Sequence, residues 1–136
     1  MPRSDNDREP DSAIAGQSLA VTAEILYLAN LLVAPGLAFF ILLALYLRRG
    51  KEAPPLASCH LRQTVSASLW AGGLLVVANL AIILLGSYTA PSTWVIVILY
   101  FTTAHSTLVL LGVMGLAKAM AGKNYVYPLV GRPCNV

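Results

Sequence analysis

Three long runs without Asp, Glu, Lys or Arg organise the chain: Ile25 to Leu47, Val65 to Ser87 and Ser92 to Ala117. Each exceeds the roughly 20 residues that carry an α-helix across about 30 Å of hydrocarbon. Only helices or closed barrels satisfy the backbone in lipid, and three segments cannot close a barrel. The pattern therefore predicts an all-α integral membrane protein with three transmembrane helices, spanning about 25–47, 65–87 and 92–117. Pro35 and Gly36 fall inside the first run. Proline removes a backbone donor and its ring crowds the preceding turn, so a kink in a single span is expected there rather than a re-entrant break.

The polar punctuation sets the rest of the layout. Residues 1–12 carry Asp5, Asp7, Glu9 and Asp11 and read as a flexible polar tail, leaving 13–136 as one membrane domain. Glu24 separates the first run from an uncharged stretch, Ser12 to Ala23, and is expected near a membrane boundary. The connector Arg48 to Pro55 stacks charge, Gly and Pro-Pro and breaks the helix firmly. Residues Leu56 to Thr64 then read as an interfacial lead-in, and the short turn Tyr88 to Pro91 makes the second and third spans a hairpin.

Composition strengthens this picture: 57% of residues are hydrophobic and 11% charged, with a mean hydropathy of +0.72. A soluble domain carries about 25% charged residues. The net charge of +3 comes with no basic patch of interleaved aromatics, so nucleic acid is not an expected partner; the bilayer, other membrane subunits or further copies of the chain are. Arg48, Arg49, Lys51, Arg62, Lys118, Lys123 and Arg132 fall on one side of the predicted spans, and Arg3 and Arg8 on the other. Under the positive-inside rule this predicts a multi-pass membrane protein, N-terminus outside and a short C-terminal tail in the cytoplasm. Cys59 and Cys134 are too sparse for a disulfide framework and read as free thiols.

Candidate chemistry is thin. The third span carries Thr102, Thr103, His105, Ser106 and Thr107 near its middle, with Asn30 and Asn79 on the other two. An ionisable residue at that depth is a functional candidate, but neutral His105 bonded to a neighbouring helix, with the hydroxyls bonded back to their own, is the expected arrangement. Haem ligation by both histidines fails on distance, because His60 lies about 28 residues, or ~42 Å, from the turn and His105 about 14, or ~21 Å. No phosphate loop, nucleophile elbow, metalloprotease motif or intramembrane carboxylate pair occurs, so no enzyme, no metal and no cofactor are expected. Ser68 with Gly72, and Gly115 with Ala119, stand at small-xxx-small spacing, and Gly72, Gly73, Gly112 and Gly115 allow helix backbones to approach closely.

Two segments stand out together: His60-Leu61-Arg62-Gln63, and Gly122 to Gly131 with Tyr125, Tyr127 and Pro128 between. His60 and Gln63 share a helix face. The tyrosine and proline tail suits the headgroup region and is expected to fold back onto that face. With the central Pro and the basic connector, the chain resembles small bacterial membrane proteins of unknown function that are related to the channel-associated component of the Tic chloroplast protein-import translocon. The resemblance covers roughly residues 24 to 131 and implies an oligomeric transport or protein-translocation component. The plastid relatives have a fourth span, and three narrow helices enclose no lumen. The residues themselves favour a non-enzymatic accessory or assembly subunit of a larger inner-membrane complex. A haem or quinone redox subunit centred on His105 ranks third.

Overall fold

The computed structural model describes residues 14–134, so the expected polar tail at 1–12 lies outside it. The described residues are helical, with no strands among them. Helix α1 spans Gln17–Leu32, α2 Leu37–Arg49 and α3 Pro55–Leu84. Helix α4, Pro91–Met120, is one continuous rod with a π turn over Tyr100–His105. Helices α3 and α4 are long and apolar enough to cross a membrane, and α1 is a shorter apolar helix. The expected lead-in at 56–64 is already helical, because Pro55 supplies the fixed φ that suits a first helical position.

The first uncharged run is not one kinked span. It breaks at Val33 to Gly36, and α2 turns back along α1. Pro35 disfavours the helical conformation for Ala34, Gly36 takes φ +87°, and the Asn30 side chain accepts a hydrogen bond from the Gly36 N–H at 2.9 Å. A kink needs the chain to continue in helical dihedrals; a left-handed glycine with its N–H satisfied from the side ends the helix instead. The return is evident in the core, where Leu42 of α2 joins Ala23 and Tyr27 of α1 and Leu61 and Val65 of α3.

This hairpin overturns the expected separation of the two chain segments across a bilayer. Gly16, just before α1, lies so close to Pro54 and Ala57 that a Cβ on it would sit 3.0 Å from each. Gln17 donates a hydrogen bond to the Met120 carbonyl at 2.7 Å. The start of α1, the basic connector, the start of α3 and the end of α4 therefore gather at one end, called here the base. The turn between α3 and α4 forms the opposite, distal end. Helix α1 runs alongside α3 and antiparallel to α4. It seats Tyr27 against Gly112 and Glu24 against Gly115, where an added Cβ would fall 2.7 and 2.5 Å from those side chains respectively.

Candidate functional site

The base holds the densest polar cluster in the structure. Glu24 and His60 are fully buried and Tyr127 is 1% exposed. His60 Nδ1 lies 2.5 Å from Glu24 Oε1, and His60 Nε2 lies 3.0 Å from the Lys123 carbonyl. A carbonyl can only accept, so Nε2 carries a proton, and one further proton is held between Nδ1 and the carboxylate. The Tyr127 hydroxyl donates to the other carboxylate oxygen, Oε2. Burial, with the Glu24 carboxylate adding to it, pushes that hydroxyl far above the usual phenol range. Tyr127 is thus a permanent donor, and Glu24 is satisfied on both oxygens.

Gln63 fixes the rest of the tail one turn further on. Its Oε1 accepts from the Arg132 N–H at 3.0 Å and, more weakly, from the Tyr127 N–H at 3.4 Å. Its amide donates to the Arg132 carbonyl. Ser66 donates to the Val130 carbonyl at 2.8 Å. The tail is aimed at this face by a Schellman ending of α4: Gly122 adopts φ +66°, while Lys123 N bonds Lys118 O at 2.9 Å and Gly122 N bonds Ala119 O at 3.0 Å. Gly131 is required because a Cβ there would strike the Gln63 side chain and the Tyr127 backbone. Tyr125 packs against Tyr127 with the rings tilted and their centroids 5.4 Å apart, and Pro128 is exposed at the turn.

Cys59 and Cys134 are not free thiols: a disulfide joins them, with Cα atoms 5.2 Å apart. The tail's return along α3 places residue 134 beside residue 59, a proximity that sparse spacing does not reveal. The sequence does carry a signal for Glu24. A lone carboxylate bordering an apolar run needs a partner, and taking the first run as one span puts His60 on the opposite face from it.

The other candidates lie elsewhere. Thr102 bonds the Ile98 carbonyl at 2.7 Å and Ser106 the Phe101 carbonyl at 2.6 Å. Thr103 bonds the Leu99 carbonyl. These return bonds coincide with the π turn, where carbonyls are freed from the regular ladder. Asn79 donates to Leu75 O and accepts from the Tyr88 hydroxyl, each at 2.8 Å, near the distal end. His105 makes no hydrogen bond to a neighbouring helix among the described residues; its ring packs 5.0 Å from that of Phe101. Gly112 and Gly115 receive α1, but Gly72 meets nothing within 4 Å of an added Cβ, and Ser68 is buried without a partner for its hydroxyl. No group of three or more potential metal ligands occurs among the described residues. Both ring nitrogens of His60 are engaged, which removes it as a haem ligand.

The chemistry available at the base is that of a clasp. Both carboxylate oxygens of Glu24, both ring nitrogens of His60 and the Tyr127 hydroxyl are paired. No known family, curated protein or solved structure matches the chain.

Proposed function

We propose that this chain is a non-enzymatic integral membrane protein of a bacterial inner membrane and serves as an accessory or assembly subunit of a larger complex. The observation that carries the reading is the contrast in cover along the long helices. Beyond Ala71, α3 buries only Ile82, and the first half of α4 buries nothing. Leu80, Ile83, Leu84, Trp94, Val95, Ile98 and Leu99 are all more than half exposed. Such a surface demands lipid or protein cover. The basic end is assigned to the cytoplasm, with the start of α1 on that side as well. Where the Cys59–Cys134 disulfide is reduced, the hydrogen bonds of Gln63, Ser66 and Tyr127 still tie the tail to the base.

Extraction in polymer-bounded native discs followed by mass spectrometry of the intact assembly tests this. The expected result is a fixed ratio of this chain to a second membrane protein; a monodisperse single chain removes the reading. A homo-oligomer supports the second reading, an oligomeric transport or translocation component. That reading draws support from the broken α1–α2 hairpin, since discontinuous helices ending at mid-height are a transporter feature. It also draws on the presence of four helical rods, α1 to α4.

A further inference from the structure

A cavity of about 530 Å³ opens between the tip of the α1–α2 hairpin and the long helices. Its walls include Asn30, Gly36, Ser68, Gly72, Tyr100 and His105. The volume is that of a small-molecule site. Ser68 and Gly72 lie near the middle of the 30-residue α3, and His105 near the middle of the equally long α4. The cavity therefore sits at half height, where the bilayer is hydrocarbon.

Its polar groups are few and unspent. Ser68 is 4% exposed and its hydroxyl has no hydrogen-bond partner. Asn30 uses its carbonyl oxygen on the Gly36 N–H, and its amide N–H groups make no hydrogen bond within the described residues. His105 has none either, and its ring joins those of Tyr100 and Phe101 in an aromatic wall, with centroids 6.3 and 5.0 Å away. Donors thus converge from three helices on an otherwise apolar chamber. An unpaired buried hydroxyl is destabilising; the Ser68 oxygen is covered in the rotamer seen, but its residue lines the chamber, so an acceptor there would supply the missing partner once the side chain turns.

We propose that this cavity binds a membrane-soluble quinone-type molecule, its ring against the Tyr100, Phe101 and His105 wall and its carbonyl oxygens accepting from Ser68, Asn30 and His105. Depth decides against a phospholipid headgroup, which stays at the interface, and the convergent donors decide against a bare hydrocarbon tail. Binding through Ser68 requires its hydroxyl to take one of the other staggered χ1 wells. Binding alone is assigned; no electron transfer is implied.

The test uses the full chain in lipid nanodiscs, with decyl-benzoquinone as probe and decylbenzene as the carbonyl-free control. Uptake in excess of protein-free discs is expected to saturate near one quinone per chain. Ser68→Ala and His105→Leu should each weaken it roughly tenfold, the worth of one hydrogen bond. Gly72→Leu, which projects into open space, should abolish it. Ser68→Ala removes an unpaired oxygen and should melt no lower than the parent protein without quinone, which separates lost binding from lost folding. Equal uptake of decylbenzene overturns the proposal, as does no excess over empty discs or undiminished uptake by Gly72→Leu. A dimer that Gly72→Leu disperses would also overturn it, showing a second copy in the cavity.

Discussion

The two ends of α3 share one helix and opposite economies. At the base, His60, Gln63, Thr64 and Ser66 are buried and paired, and the tail is tied across them. Past Ala71 the same helix presents Gly72, Gly73, Leu75, Val76 and Val77 to open space. The chain spends its polar residues on fixing its own shape at one end and leaves the other for its surroundings. Stability and function should therefore map to different halves, and substitutions of similar size should give opposite results in them.

The largest effect is expected at Glu24. Glu24→Ala strands the His60 ring and the Tyr127 hydroxyl in a buried site, and breaking a buried pair from one side costs about 3–5 kcal/mol. Glu24→Gln keeps an acceptor for Tyr127 and a polar group for His60, and should lose only about 1 kcal/mol. Thermal unfolding in a mild detergent, followed by far-ultraviolet circular dichroism, ranks the two. Equal midpoints for Glu24→Ala and the parent would mean that the cluster contributes nothing to the fold.

Next in size is the covalent part of the clasp. Replacing Cys59 and Cys134 together with Ser should lower the stability of oxidised protein by about 2–4 kcal/mol. The same substitutions should have little effect once both proteins are compared in reductant. A drop that persists in reductant would assign the loss to packing around Cys59 rather than to the bond.

Glycines sharpen the comparison because one methyl group is added in both halves. Gly115→Ala places a Cβ 2.5 Å from Glu24 Oε2 and 2.6 Å from the Tyr127 hydroxyl, and such overpacking costs about 1–3 kcal/mol. Gly72→Ala meets nothing and should gain up to about 1 kcal/mol from helix propensity. Opposite signs in the same denaturation assay are the expected result.

Much of this architecture was legible in the sequence, and the errors have one root. Uncharged runs located α3 and α4, and the Gly122 to Gly131 segment pointed to a tail folded on the His60 face. Hydropathy carries no direction, however, so a run long enough for one span reads the same when it folds into two rods. The deciding features were local: Asn30 placed to take up the Gly36 N–H, and the lone Glu24 that needed His60 beside it. Reading the first run as a single span sent Glu24 to the wrong face, hid the clasp and, with it, the proximity of Cys59 to Cys134. In the polar block of α4 the hydroxyls of Thr102, Thr103 and Ser106 return to their own helix as expected, and only the expected bond from His105 to a neighbouring helix is absent among the described residues.

A smaller, pH-dependent effect follows from Tyr127. Below its ordinary phenol value of 10.0 the hydroxyl is protonated in both the folded and the unfolded chain, and its contribution does not vary. Above that value the unfolded chain releases the proton while the folded one, with its value raised by burial, keeps it. Stability should then fall as pH rises, by about 1.4 kcal/mol per pH unit for this one group. The difference in slope between the parent protein and Tyr127→Phe, measured by denaturant unfolding between pH 9 and 11, isolates it. Identical slopes would show that Tyr127 is open to solvent.

The smallest effect is expected where the sequence is most conspicuous. Thr102 is exposed, and its hydroxyl is returned to the Ile98 carbonyl. Thr102→Val removes that bond but leaves a branched side chain of the same shape at an exposed position. Return bonding of this kind adds little to a helix, and exposed substitutions usually fall within about 0.5 kcal/mol. The midpoint should therefore stay within that margin of the parent's, even though the residue lies beside the π turn. A large loss would mean that the hydroxyl holds the π geometry in place, which would tie the shape of the Tyr100 to His105 wall to Thr102 and extend the demands of precise packing from the base into the distal half.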